Sequence, residues 1–454
     1  KVADCLFLRA DYAAASSKYW AAISIATNTV GFDNRLVDQA LYQIVRSGVE
    51  RQDLPSASQA VSNLIEWFPS SFYSDRSLLL YGQALNGQGK PSESRTVLAS
   101  FAKVFSKSSL LPEAQLAIAR THVMDGSWVS SILEYARWVT NYPAHPALAQ
   151  AEFDRAWLNH QAGNPARAFQ LFTNYVVRFP TNQLAPVAQK WIADHQFQSG
   201  KFIEAEQGYR RLFENTNLLA NAPDMQWEAR LSAGRSAFFR QEHAAAELLL
   251  ASVVNATNAP VAELARAEFY LGDVAADQTG RTPTNFSDAL PHYQRVANEM
   301  PNSPLNPSAW GRMGDCHLQL GNLDSAAEAY RTVTELPFAD VTTRSQAGLG
   351  LAHVLDKLAE AAGETGEREK LWKRSLEQCM EIVFGGNLRS VDEKLDPFWV
   401  KEAGLMAARL ARRLGRAEQE QKVYSRLAKE LPGMPLWQAK LDALRVNQET
   451  PKKP

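Results

Sequence analysis

A period of 37 residues limits what this chain can fold into more than any other feature of its sequence. Small residues recur at that spacing at Gly82, Ala119, Ala156 and Ala193. Three more columns keep the same period: a second small residue (Ser94, Ser131, Ala168, Ala205), a bulky residue four positions later (Leu98, Tyr135, Phe172, Tyr209) and another three after that (Phe101, Trp138, Tyr175, Leu212). Columns that persist over several units indicate a repeat protein, whose units bury their apolar faces against one another.

The stretch Asn306–Pro337 predicts two short amphipathic helices in one unit. Each helix has one face on which residues recur at helical spacing. These residues are Trp310, Met313, Gly314 and His317 in the first helix, and Ala326, Tyr330 and Val333 in the second. Gly321 and Asn322 mark a helix end and a turn, and Pro337 stops the second helix. We expect Asp324 or Ser325 to cap that helix. The fold class predicted is all-α, a right-handed superhelical solenoid of about ten to eleven helix-turn-helix repeats.

The units loosen toward both ends of the chain, but no linker divides them. We therefore expect one continuous domain over residues 1–446, closed by a helix at 436–446, and a polar, mobile tail at 447–454. The least regular joints fall near Asn215–Pro223 and Phe384–Pro397, and a loop is inserted at Gln278–Asn285. One late unit is predicted as helices 347–358 and 371–382, joined by the polar stretch 360–370.

The first unit is incomplete. Ala3, Ala15, Tyr19 and Ala22 fit the repeat columns, but the first helix of that unit begins too late to be whole. A terminal repeat normally has a polar outer face, and this one begins with an apolar run. We expect further repeats or another domain to precede Lys1 in the native chain.

The columns resemble the tetratricopeptide repeat family. The residues that carry the resemblance are Trp310, Gly314, Ala326, Tyr330 and Pro337, together with Ala156, Gly163, Ala168, Phe172, Tyr175 and Pro180. The family repeat has about 34 residues, so the extra residues of this chain fall after the closing proline, as in Phe179–Pro186. That longer period is similar to repeats of bacterial cell-envelope proteins. The resemblance implies a scaffolding role in the periplasm or cell envelope rather than the cytoplasm, in a complex that is associated with a membrane.

Composition and motifs exclude several classes of function. The formal net charge is −1, which leaves no basic footprint for nucleic acid. No apolar run is long enough to cross a bilayer. Cys5, Cys316 and Cys379 lie far apart in predicted helices, where we expect buried thiols. No nucleotide loop, nucleophile elbow or metal-ligand spacing occurs, so we predict no catalytic residue, no metal and no cofactor.

The register that the resemblance implies also predicts a binding surface. In the family, the position after the small residue of the first helix, and those three before and after it, line a concave groove. Here those and nearby positions hold Asp154, Trp157, His160, Lys190, Asp194, Gln198, Arg235 and Asp273. A groove of aromatic and charged side chains suits an extended peptide or a partner helix.

We therefore predict a non-enzymatic scaffold that binds a protein or peptide partner in this groove. Two alternatives remain open at this stage. The chain could be a structural segment of a larger enzyme, or of a secretion or assembly component, whose activity lies elsewhere. It could also bind glycans, because aromatic grooves stack on sugar rings.

Overall fold

The computed structural model describes residues 1–28, 36–215, 218, 220, 222–277, 283–434 and 436–449. These residues fold into α-helices joined by turns, and no strand occurs among them. Packing groups the chain into two compact units, Lys1–His195 with Ala220–Ala222, and Gln196–Leu219 with Pro223–Pro454. The division falls inside one helix, α11. The prediction of a single continuous domain over residues 1–446 stays a prediction.

The helices of the first unit are α1 (Val2–Leu8), α2 (Tyr12–Asn28), α3 (Val37–Glu50), α4 (Leu54–Trp67), α5 (Ser74–Gly87), α6 (Pro91–Val104), α7 (Leu111–Met124), α8 (Trp128–Asn141), α9 (Leu148–Gln161), α10 (Pro165–Arg178) and α11 (Ala185–Gln198), whose last residues belong to the second unit. The second unit holds α12 (Phe202–Glu214), α13 (Met225–Phe239), α14 (His243–Val254), α15 (Val261–Ala276), α16 (Pro283–Gln294), α17 (Asn306–Gln319), α18 (Leu323–Glu335), α19 (Val341–Ala361), α20 (Thr365–Phe384), α21 (Pro397–Arg413), α22 (Ala417–Glu430) and α23 (Leu436–Glu449). A π-helical turn, Arg295–Glu299, extends α16.

Within each unit, successive helices pack as hairpins, and the odd-numbered helix is the first helix of its hairpin. The repeat columns form the core. Ala156, Ala168 and Phe172 are fully buried, as are the equivalent side chains of the other hairpins. A Cβ on Gly82 would lie only 2.5 Å from Cδ2 of Leu98, so the small column lets the bulky column enter the hairpin. The predicted all-α fold of stacked helical hairpins is confirmed.

The second small column has a further role where it holds serine. The hydroxyl of Ser94 donates to the carbonyl oxygen of Gly82 at 2.6 Å, and Ser131 does the same to Ala119 at 3.0 Å. Each bond joins the two helices of a hairpin through a fully buried hydroxyl. A buried hydroxyl needs such a partner, since leaving it without one costs free energy.

In the hairpins that keep the 37-residue period, the turn between the two helices holds a glycine. Gly89, Gly126 and Gly163 have left-handed φ angles of 73°, 72° and 76°. Each ends a first helix, and the amide of the following residue donates back across the turn, as in Asn164 to the carbonyl of Asn159 at 2.9 Å. Only glycine adopts this conformation at little cost, which explains its 37-residue spacing.

The residues after the closing proline form a polar turn before the next hairpin. The side chain of Asn182 accepts hydrogen bonds from the amide of Leu184 and the hydroxyl of Tyr175, both at 2.9 Å. Nδ1 of His145 accepts from the amide of Ala147 at 3.1 Å in the preceding repeat. These extra residues therefore lengthen the period by adding a polar turn.

The structure corrects several local predictions. Helix α18 begins after Asn322 and has no side-chain cap, so neither Asp324 nor Ser325 caps it. Helix α19 continues to Ala361 and α20 begins at Thr365. Residues 360–370 are therefore mostly helical and do not form a loop. Ala22 is exposed and Ile23 takes its place in the core.

The remaining local predictions lie at the edges of the described residues. The inserted loop falls largely at 278–282, outside those residues, and α16 begins at Pro283. The closing helix α23 runs to Glu449, beyond the predicted end at residue 446, while residues 450–454 of the predicted tail are not described. None of the helices described is both long and apolar enough for a membrane span.

Candidate partner-binding surfaces

Five of the eight predicted site residues lie on two neighbouring first helices of the first unit. Asp154, Trp157 and His160 are on α9, and Lys190 and Asp194 are on α11. Trp157 is 39% exposed although its neighbour Ala156 is fully buried, because adjacent positions of a helix point about 100° apart. The two helices therefore keep polar and aromatic side chains outside the hairpin core.

An aromatic row links α9 and α11. The ring of Trp157 is stacked with Phe153 at a centroid distance of 6.5 Å and meets the edge of His160 at 5.5 Å. His160 in turn contacts Trp191 at 5.3 Å, and Trp191 stacks on His195 at 5.3 Å. The sequence did not assign Phe153 or Trp191 to the site. The signal in the sequence was their position, three residues before Ala156 for Phe153 and two residues before Ala193 for Trp191.

The charged residues of this surface are tied to neighbours. Nζ of Lys190 lies 2.9 Å from Oδ2 of Asp194, one helical turn away. Asp154 accepts the hydroxyl of Tyr135 at 3.1 Å and the side-chain amide of Gln150 at 2.7 Å. These bonds hold the polar groups beside the aromatic row. The surface thus combines flat apolar rings with fixed charges, as protein-binding surfaces often do.

The other three predicted residues lie in the second unit. Gln198 is exposed at the end of α11. The guanidinium of Arg235 on α13 lies 5.2 Å from the ring centres of both Phe197 and Tyr270. Asp273 on α15 accepts the hydroxyl of Tyr293 at 2.8 Å, and its Oδ1 is 3.3 Å from Nε of Arg312. The structure thus places the eight residues in two units, and their continuity as one groove stays a prediction.

Asp273 also lines a cavity of about 540 Å³ that is formed by α13, α15, α16 and α17. Arg312, Asp315 and the rings of Phe238 and Phe286 also line it. Burial raises the pKa of Asp273 and of Asp315 above the ordinary aspartate value, although Arg312 opposes the shift in both. A concave, partly apolar space with a few charged groups is typical of a ligand-contacting surface.

A tyrosine–aspartate pair recurs inside the hairpins, and sequence reasoning missed it. Tyr19 donates its hydroxyl to Asp4, and Tyr330 donates to Asp315, each at 2.6 Å and fifteen residues apart. In each pair the aspartate directly follows the small residue and the tyrosine occupies the bulky column. That spacing is visible in the sequence and could have been used.

Two histidines at this surface take part in ring packing. His160 and His195 both contact the ring of Trp191. Within the described ranges, no group of three histidine, cysteine, aspartate or glutamate side chains is arranged to hold a metal ion. Cys316 and Cys379 are buried, as predicted, but Cys5 is exposed, so the prediction for Cys5 was wrong. All three are free thiols.

Comparison with known proteins gives a family for part of the chain. Residues 284–338 match the tetratricopeptide repeat family, and this confirms the resemblance that the repeat columns predict. No curated protein matches the chain.

Solved structures similar to the chain include a tetratricopeptide repeat protein from Parabacteroides merdae (15% identity, TM-score 0.33, 69% of this chain and 98% of that one). Yeast Tom70 is also similar (11% identity, TM-score 0.41, 100% and 96%). A third similar structure is that of Naa15/Naa10 bound to HypK-THB (14% identity, TM-score 0.34, 90% and 66%).

Proposed function

We propose that this chain is a non-catalytic helical-repeat scaffold that binds a protein or peptide partner in the concave groove, through the sides of its first helices that point away from the hairpin cores. The observation that carries the proposal is the aromatic row from Trp157 to His195, flanked by Lys190 and Asp194. Large aromatic side chains left exposed beside fixed charges supply the anchors and the orienting contacts of a protein interface.

The residues around Arg235 and Asp273 support the same proposal in the second unit. There the first helices again present a cation held between rings and a carboxylate beside a cavity. Both units thus carry aromatic and charged side chains on first helices. We propose Asp154, Trp157, His160, Lys190, Asp194, Gln198, Arg235 and Asp273 as partner-contacting residues.

The experiment begins with affinity capture from source-cell lysate, identification of the captured protein and its purification. Calorimetry then compares its affinity for the wild type and for a Trp157→Ala/Lys190→Glu variant of unchanged helicity. The matched control is Val177→Ala/Lys103→Glu, because both of its side chains are exposed on second helices, α10 and α6. A loss confined to the first variant supports the proposal, whereas equal affinity in all three proteins contradicts it.

We also propose that the partner belongs to a bacterial cell-envelope complex. Support comes from the 37-residue period and from the aromatic-proline-polar turns such as Tyr142-Pro143-Ala144-His145. Fractionation of source cells tests the location. Recovery of the chain with a cytosolic marker would contradict it.

One observation favours a second candidate, a glycan-binding surface. The ring of Trp157, which is 39% exposed, lies within 7° of parallel to the ring of Phe153, and exposed aromatic rings can stack on sugar rings. A glycan array tests this reading with the wild type and Trp157→Ala. No signal from any polysaccharide would remove it.

A further inference from the structure

Two arginines hold the segment between α20 and α21, residues 385–396, against the rest of the second unit. Arg344 on α19 is almost fully buried, and its Nη2 donates to Oε2 of Glu393 at 2.6 Å and to the carbonyl of Asn387 at 2.9 Å. The guanidinium of Arg389 donates to the carbonyls of Thr334 and Leu336 at the end of α18. Burying a guanidinium costs free energy unless its donors have hydrogen-bond partners. The segment supplies such partners and is therefore an integral part of the fold.

The segment encloses a cleft of about 430 Å³ with α18, α19 and α20. Its apolar part is made by Leu351, Leu355 and Ile382, which are all buried. Polar and charged side chains complete the lining. The cleft is separate from the proposed partner-binding residues, since none of those eight residues lines it.

Arginines outnumber carboxylates in the lining of the cleft, and three of these arginines form no ion pair among the described residues. Arg331 and Arg374 are exposed and line it from α18 and α20. Among the described residues neither forms an ion pair, and the Arg389 guanidinium contacts carbonyl oxygens only. Cations that converge on one space repel each other, and an anion placed between them relieves that repulsion. The planar guanidinium fork matches a carboxylate or a phosphate group in particular.

Two further observations restrict the chemical class of ligand that fits the cleft. Oδ1 of Asn387 is buried and lacks a donor within the part of the chain that is described. Glu377 and Glu381 also line the cleft and can only accept hydrogen bonds when ionised. The ligand must therefore bring hydrogen-bond donors next to its anionic group.

We propose that this cleft binds a carboxylate or phosphate group, with Arg331, Arg374 and Arg389 as its cationic contacts and Asn387 as the acceptor for an adjacent donor. Such a group comes either from an acidic polypeptide, whose backbone amides supply the donors, or from a free small oxyanion. The site does not depend on the partner proposal.

Calorimetry at low ionic strength tests the site with two probes, inorganic phosphate and a blocked tetraglutamate peptide. The test variant is Arg331→Gln/Arg374→Gln, because both side chains are exposed and removing them leaves the Arg344 and Arg389 bonds in place. The control is Arg167→Gln/Arg211→Gln, which removes the same charge from exposed positions elsewhere. Unchanged thermal unfolding of each variant shows that the fold is intact.

We expect at least one probe to bind the wild type and the control equally, and to bind the test variant at least about tenfold more weakly, as loss of two charged hydrogen-bond donors requires. Binding of the peptide alone assigns the source to a polypeptide, and binding of phosphate alone to a small oxyanion. Failure of both probes to bind the wild type, or equal binding by all three proteins, would overturn the proposal.

Discussion

Tyr330 lies between two glycines, Gly314 and Gly350, that belong to the first helices of successive hairpins. A Cβ added to Gly314 would lie 2.6 Å from Cε1 of the ring, and one added to Gly350 would lie 2.5 Å from Cζ. The same ring donates its hydroxyl to Asp315. One side chain thus determines how closely α17, α18 and α19 approach, and both its ring and its hydroxyl contribute.

Replacing Gly314 with leucine should lower the free energy of unfolding by about 1–3 kcal/mol, because the new side chain has to displace the Tyr330 ring. Urea denaturation measures the change. Gly311 is the matched control in the same helix, since a Cβ there meets nothing within 4 Å. Gly311→Ala should be neutral or stabilising, by up to about 1 kcal/mol. Equal destabilisation by the two substitutions would show that the close approach at Gly314 is not the cause.

Tyr330→Phe should destabilise the chain by about 1–3 kcal/mol, because it leaves the Asp315 carboxylate without its hydroxyl donor. Burial already raises the pKa of Asp315, and the Tyr330 hydroxyl opposes that rise. The variant should therefore raise this pKa further, which NMR titration can follow. The control is Tyr81→Phe, at a half-buried tyrosine whose hydroxyl makes no hydrogen bond within the described residues. An equally large loss of stability in Tyr81→Phe would show that the Tyr330–Asp315 hydrogen bond is not the cause.

The stability supplied by Glu268 should depend on pH. Burial by itself would raise the pKa of this carboxyl, but hydrogen bonds from His292, at 2.7 Å, and from Arg295 outweigh burial and lower it below its ordinary value of 4.5. The folded state therefore holds the proton less tightly than the unfolded state. Its contribution is complete above about pH 4.5 and is lost as the pH falls through the lowered folded pKa.

Glu268→Gln should accordingly cost about 1.5–3 kcal/mol at pH 7, and the difference from the wild type should shrink as the pH falls below about 4.5. Denaturant titrations at a series of pH values measure this. Glu204→Gln, at an exposed glutamate, should change little at any pH. A stability difference between wild type and Glu268→Gln that grows as the pH falls would contradict a lowered pKa for Glu268.

Thiol reactivity should separate the three cysteines. Cys5 is exposed, whereas burial raises the pKa of the Cys316 and Cys379 thiols to about 12. A thiolate is the reactive form, so one thiol should react with a disulfide reagent in the native protein and three after unfolding. Cys5→Ser should abolish the native reaction. Native reaction of all three thiols would contradict the described packing.

Much of the fold could be predicted because it depends on local periodicity. The 37-residue columns located the hairpins, the glycine turns and the buried residues such as Phe172 and Trp138. Local prediction failed where a polar stretch lies outside the repeat columns, because no buried face then marks the helix ends. The polar stretch 360–370 reads as a loop, yet most of it continues α19 or begins α20.

The candidate surface was predicted only in outline. The repeat register located Trp157 and Lys190 on first helices, because a register determines which face of a helix each residue occupies. The contact of Trp191 with His160 could not be derived, since it depends on how two first helices stack. Which of the eight residues touch a partner stays a prediction.

The sequence by itself determined where the helices and turns lie and which columns are buried, since the helical period and glycine's left-handed backbone are local properties. Only the tertiary structure decided which polar side chains meet when they lie far apart in the sequence and outside the repeat columns. Arg344 reaches Glu393 across 49 residues, and no spacing rule predicts that bond. Burial makes such partners obligatory, but their identity depends on the path of a connecting segment that carries no repeat.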